Sequence, residues 1–182
     1  MAGRLKARVA LALSVIALLS ACTSSAAGFN ESDVMFAQMM IPHHQQAVEL
    51  ADLALEPASA AGPEIVQLAQ QIRDGQGPEI EQMTALLVQW GQPLDSHAAM
   101  GHGSEMEGML SENEMMELAS LTGPAFDGAW IAAMTFHHQG AIAMAGVAAN
   151  NGINLEIKSL TAAIIEVQQR EIETLQALST AP

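Results

Sequence analysis

Phe36, Met40, Ala47 and Ala51 fall on one narrow stripe when the chain is wound at about 100° per residue, with Val48 and Leu50 on its flanks and Gln45, Glu49 and Asp52 opposite. Such a stripe predicts an amphipathic helix with one face toward a core, and no strand-like alternation competes with it. The pattern then returns. At an offset of 94, Asp33, Met40, His43, His44, Gln45, Ala47 and Ala51 match Asp127, Met134, His137, His138, Gln139, Ala141 and Ala145. At an offset of 92, Glu64, Ile65, Leu68, Ile72, Gln76, Glu79 and Ile80 match Glu156, Ile157, Leu160, Ile164, Gln168, Glu171 and Ile172. Each copy reads as helix, short loop, helix. Two copies predict an all-α, pseudo-symmetric four-helix bundle.

The breaks in the pattern place the boundaries. Pro57, Gly62 and Pro63 separate the helices of the first copy, and Asn150-Asn151-Gly152 those of the second. Pro42 lies inside the first helix and predicts a kink before His43, since proline removes a backbone donor. Gly75, Gly77 and Pro78 predict an interruption of the second helix. The repeats thus span about residues 31–90 and 125–178 of a domain covering 31–180, joined by a linker over 91–124. In the linker, Ser111 and Glu114 form a capping-box pattern for a short helix to about Thr122, and Gly123-Pro124 launches the third long helix.

The amino terminus is of another kind. Arg4, Lys6 and Arg8 precede an apolar run of 11 residues from Val9 to Leu19, right for a signal peptide and too short to span a bilayer. Leu19-Ser20-Ala21-Cys22 follows and resembles the bacterial lipobox, in which the cysteine is lipidated and becomes the new terminus. Residues 1–21 are therefore expected to be a lipoprotein signal, Cys22 the lipidation site and 22–30 a tether, with the domain held outside the cytoplasm, at the extracytoplasmic (periplasmic, where there is an outer membrane) face of a bacterial membrane. Cys22 is the sole cysteine, so no intramolecular disulfide can form. Half of the six basic residues leave with the signal, and the mature chain keeps three against 20 acidic residues. That balance excludes nucleic acid and anionic headgroups as partners, because both reward clustered bases. The membrane is expected to be met through the anchor alone. A homodimer is left open.

Polar residues fall where the bundle should be apolar. His43 and His44 lie roughly 60° and 40° either side of Met40 by helical period, and His137 and His138 repeat this around Met134. Gln76 and Glu79 flank Ile72 on the second helix, as Gln168 and Glu171 flank Ile164. Buried unpaired, these groups would cost several kcal/mol, so they must satisfy one another or bind something. A hydrogen-bonded His–Glu–Gln network that sets helix register is one account; a metal centre with that network around it is the other.

The donor types bear on the metal. Met39 and His43, Met40 and His44, and Met134 and His138 are each four residues apart and share a helix face. The linker adds His97, Met100, His102, Met106 and Met109 among Gly101, Gly103 and Gly108, with Met115 and Met116 beyond. Imidazole with thioether, and no thiolate, favours Cu(I) over zinc, calcium or magnesium. For Met40, Met134 and Met144 core packing is the competing role.

Met39-Met40-Ile41-Pro42-His43-His44 with Ala47, and Phe126-Asp127 with Met134 through His137-His138-Gln139-Gly140-Ala141 to Met144-Ala145, resemble the domain of unknown function 305 family. The resemblance covers nearly all of residues 30–178. It implies a ferritin-like four-helix fold, an extracytoplasmic location and, for some members, copper binding and tolerance through His and Met. Leu175 stands where the first copy has Met83. The expected function is copper binding or homeostasis by a lipid-anchored protein. The alternatives are a ferritin-like di-metal oxidoreductase using iron or manganese at His44, His138, Glu79 and Glu171, and a structural or interaction bundle around a buried network. Di-metal carboxylate bundles use Glu-x-x-His on one helix, which this chain lacks, so binding is preferred to catalysis.

Overall fold

The structure, a computed structural model, describes residues 28–94 and 106–180. The signal, Cys22, and His97, Met100 and His102 of the linker lie outside the described residues.

Helix α1 (Glu31–Leu55) starts at Asn30, whose side chain accepts from the Asp33 N–H while the Asp33 carboxylate accepts from the Asn30 N–H, a reciprocal capping box. It runs through Pro42 as one helix. A short 3₁₀ turn (Pro57–Ser59) leads to α2 (Pro63–Gln89), which opens with proline at its first position, where the missing N–H is no loss. The expected interruption at Gly75, Gly77 and Pro78 does not occur: α2 is continuous over 27 residues. Ile65, Leu68, Ile72, Met83 and Leu87 bury one face of it, and this packing outweighs about 1 kcal/mol per glycine of weaker helix propensity. Gly75 and Gly77 face open space, so they serve no close approach. The short helix α3 (Glu112–Ala119) carries the Ser111–Glu114 capping box read from the sequence. Then come α4 (Pro124–Asn151) and α5 (Leu155–Ser179), the latter capped by Asn154 on the Glu156 and Ile157 N–H groups. None of these helices is long and apolar enough to cross a membrane.

The long helices pair as α1 with α2 and α4 with α5, and α1 packs on α4 to join the pairs. The buried apolar residues form two clusters rather than one. One holds Ala47, Leu50, Ile65, Leu68, Ile72, Phe126, Trp130, Met134 and Leu175. The other holds Phe36, Met40, Met83, Leu87, Ala141, Ala145, Ile157 and Ile164. Every long helix contributes one half of its length to each cluster, so the residues between the halves form a layer across the middle of the bundle. Trp130 fixes the α1–α4 contact by donating from Nε1 to the Leu50 carbonyl at 2.8 Å.

A second pair of contacts locks the copies together. The fully buried Asp33 carboxylate accepts from the Asn30, Ile153 and Asn154 N–H groups, the last two in the α4–α5 loop. Its repeat mate Asp127 accepts from the Gly62 N–H in the α1–α2 loop. Each copy thus uses the acid at the start of its first helix to hold the loop of the other.

Candidate metal site between the two cores

The layer between the apolar clusters is made of the inward polar residues of both repeats. His43, His44, His137 and His138 are fully buried, and Gln76 and Gln168 nearly so. Glu79 and Glu171 are partly buried at the edge, with 21% and 15% of their side chains exposed. The layer is forced by sequence: α1 and α4 each place two adjacent histidines one turn beyond a core methionine, so both rings must face a neighbouring helix.

The rings of His43 and His137 lie 3.8 Å apart, centroid to centroid, tilted by 41°. These two residues are equivalent in the repeat and in contact with one another. The pseudo-twofold axis relating the copies therefore passes between them.

The acceptors around the rings set their tautomers. His44 Nε2 lies 2.8 Å from Glu79 Oε2, and His138 Nε2 lies 2.7 Å from Glu171 Oε2. His43 Nε2 lies 3.3 Å from the Glu107 carbonyl oxygen. A carbonyl or carboxylate oxygen can only accept, so in each ring Nε2 carries a proton, and in the neutral ring of His43 the lone pair is on Nδ1. The Nδ1 atoms of His43, His44 and His138, and both nitrogens of His137, are buried without a hydrogen-bond partner. So are the amide groups of Gln76 and Gln168. Burial first, and then the nearby His44 and His138, push His43 down to about 3. Burial, followed by His43, His138 and His44, likewise holds His137 well below the ordinary histidine range. These two imidazoles are neutral at physiological pH, and their lone pairs are free.

A ring whose outer nitrogen donates to a carboxylate or carbonyl while its inner nitrogen is bare is the arrangement proteins use to present histidine to a metal. The orphaned lone pairs thus fit a metal ion. Among the described residues no group of three or more His, Cys, Asp or Glu side chains is placed to hold a metal ion together, so the fit is to an ion of low coordination number. Glu79 and Glu171 are each engaged by a histidine from the other helix of their own hairpin.

The thioethers are placed less centrally. Met40 and Met134 are fully buried but belong to opposite apolar clusters, one on each side of the layer. Met39 lines a surface groove with Met35, Phe36 and Met144, of about 210 Å³. Met106 is buried, while Met109, partly exposed, lines a groove with Gln46, Glu49, Met115 and Met116.

Gln46, Gly140 and Glu107 were not singled out for this site on sequence grounds, yet all three bear on it. Gln46 is buried and grips the main chain of Leu110 from both sides, donating to its carbonyl and accepting from its N–H, each at 2.8 Å. Gly140 lies against the main chain of Glu107 and Gly108, where a side chain would overlap the Glu107 carbonyl oxygen. The available signal was a broken match: Gln46 and Gly140 occupy the same position of the two repeats, and differ inside an otherwise conserved His-His-Gln-x-Ala.

The family model described as Domain of unknown function (DUF305) matches residues 33–179. The chain belongs to the DUF305 family. Solved structures agree with this assignment. The DUF305 protein of Streptomyces coelicolor is 30% identical, with 81% of this chain and 91% of that one covered at a TM-score of 0.74. A DUF305 fragment from Deinococcus radiodurans is 32% identical over 82% and 96% of the two chains, also at 0.74. CopM in its Cu(I)-bound form is 31% identical over 80% and 94%, at 0.66; CopM has also been solved with Cu(II) and with Ag bound. No curated protein sequence shows significant similarity to the chain. As a DUF305 protein it has the all-helical fold that its repeat predicts.

Proposed function

We propose that this DUF305 protein is a lipid-anchored, extracytoplasmic copper-binding protein that holds the metal in the polar layer of its bundle. The observation that carries the reading is the set of buried, bare ring nitrogens whose opposite nitrogens are tied outward to Glu79, Glu171 and the Glu107 carbonyl. His43 and His137 are the central ligands, with Nδ1 of His44 and His138 as further donors. Glu79 and Glu171 hold those rings rather than the ion. The bound metal is the cargo, and the protein's task is to capture it and keep it from water.

Copper suits this donor set. Cu(I) accepts low coordination numbers and soft or imidazole donors, whereas zinc sites take four ligands and manganese or magnesium sites six oxygens. That the relative CopM is found with Cu(I), Cu(II) and Ag supports the same choice. Met40 and Met134 stand ready as thioether neighbours of the layer, with Met39, Met106 and Met109 as a peripheral capture set; His97, Met100 and His102 join them as candidate ligands on sequence grounds alone. Placement outside the cytoplasm rests on the leader and Cys22 of the sequence, in line with an acidic mature chain that draws cations. Iron or manganese at a di-metal centre is the second reading. It would need Glu79 and Glu171 to leave His44 and His138 and face one another across the bundle.

The test is an anaerobic Cu(I) competition titration beside a variant with His43, His44, His137 and His138 changed to Ala, with helicity followed by circular dichroism. Tight binding lost in a still-helical variant supports the bundle site. Binding that survives moves the function to the methionine and histidine residues outside it.

A further inference from the structure

Residues 106–110 form an irregular strap that lies against both α1 and α4 beside His43 and His137. Three contacts hold them there: the two hydrogen bonds between the Gln46 side chain on α1 and the Leu110 main chain, one in each direction, and the backbone-on-backbone seat at Gly140 on α4. Gly108 completes the seat with a φ of +87°, a conformation open to glycine at no steric cost; a Cβ there would stand 2.9 Å from the Gly140 Cα and from the His137 carbonyl oxygen. With the strap in place, the Glu107 carbonyl reaches His43 Nε2.

The repeat explains why these residues differ. Gln46 and Gly140 are equivalent positions on either side of the pseudo-twofold axis. One strap crossing that axis cannot be symmetric, so one position must grip it and the other must make room. The same asymmetry reaches the rings: Nε2 of His43 has the Glu107 carbonyl as acceptor, while neither ring nitrogen of His137 is hydrogen-bonded to the strap.

Resting on the copper reading above, we propose that Gln46 and Gly140 are positioning residues of the metal centre. They dock the strap so that the Glu107 carbonyl fixes His43 as its Nε2–H tautomer and leaves Nδ1 to the metal. The strap does for His43 what Glu79 does for His44 and Glu171 for His138. It makes the two central histidines unequal: His43 is a pre-set ligand, and His137 a ring that the strap does not set.

The test uses the full chain with ¹⁵N-labelled histidine, metal-free and titrated with Ag(I) or Cu(I), as wild type, Gln46→Leu and Gly140→Ala. Gln46→Leu keeps the side-chain size, so a helical protein is expected even where Gly140→Ala folds poorly. The expected result is a single Nε2–H signature for His43 in the metal-free wild type, lost or mixed in the variants, with His44 and His138 unchanged. The variants should also bind metal about tenfold more weakly, the lower end of what loss of an outer partner costs a metal-bound histidine. An Nδ1–H signature for His43 in the wild type, or a tautomer and affinity untouched in a helical Gln46→Leu, would overturn the proposal while leaving the copper reading intact. Absence of metal binding in the wild type would overturn the copper reading and, with it, the strap's role in a metal centre, whatever the tautomer.

Discussion

His43 and His137, equivalent residues of the two repeats, face each other across the pseudo-twofold axis with ring centroids 3.8 Å apart and no exposure to solvent. Two imidazoles at that distance cannot both be charged without strong repulsion. The bundle holds them neutral, between two apolar clusters.

That arrangement sets a pH dependence for the metal-free protein. His43 is pushed down to about 3, and His137 also lies well below 6.5, so the unfolded chain takes protons that the folded chain refuses. Stability from this source is fully present above pH 6.5 and is lost as pH falls from there toward 3. The slope approaches about 1.4 kcal/mol per pH unit for each such histidine. Urea unfolding at pH 7.5, 6 and 5 should show the midpoint falling, and a His43→Gln variant should fall less steeply. Equal slopes in both proteins would contradict the burial of a neutral His43.

The two His–Glu pairs are equivalent, so they should respond alike. Glu79→Ala and Glu171→Ala each leave a buried Nε2–H without its acceptor, at roughly 1–3 kcal/mol, and should weaken metal binding about 10- to 100-fold. Glutamine at either position keeps an acceptor oxygen and should cost less. Thermal melts and metal competition on the four variants check this; a large effect at one glutamate and none at the other would break the symmetry of the account.

The loop staples should be unequal. Asp33 is fully buried and serves three N–H groups, while Asp127 is more open and serves the Gly62 N–H. Asp33→Ala is expected to cost roughly 2–4 kcal/mol and Asp127→Ala about 1 kcal/mol, by the price of orphaned donors. Equilibrium unfolding of both variants decides the order.

Two glycines should answer alanine in opposite ways. Gly75 lies on the exposed face of α2 with open space beside it, so Gly75→Ala should stabilise by about 0.5–1 kcal/mol. Gly140→Ala should destabilise, because its Cβ would meet the strap. The sign of the change in melting temperature tests each.

Much of this molecule was legible because helices repeat. The His-His pairs and the inward Gln and Glu of the second helices followed from period and offset, and the Ser111 cap from its capping-box motif; the structure buries the histidines and glutamines, sets the glutamates at the edge of the layer and forms the cap. The break read at Gly75, Gly77 and Pro78 was local propensity overruled by a buried helix face. The role of Asp33 and the grip of Gln46 were not legible, because both side chains bind main-chain groups far along the chain, and such contacts leave no periodic trace. Their traces were subtler: Asp33 and Asp127 match where no core residue was needed, and Gln46 and Gly140 fail to match beside the axis. Cys22 and the histidines of residues 95–105 fall outside the described part of the chain, and their roles rest on sequence.

The most direct measurement is an anomalous-scattering map at the copper edge from crystals of the Cu(I)-loaded protein. The account predicts a peak in the polar layer, within bonding distance of an imidazole nitrogen of His43 or His137 and between the two apolar clusters. A copper peak confined to the surface methionines, with the four rings unliganded, would contradict it.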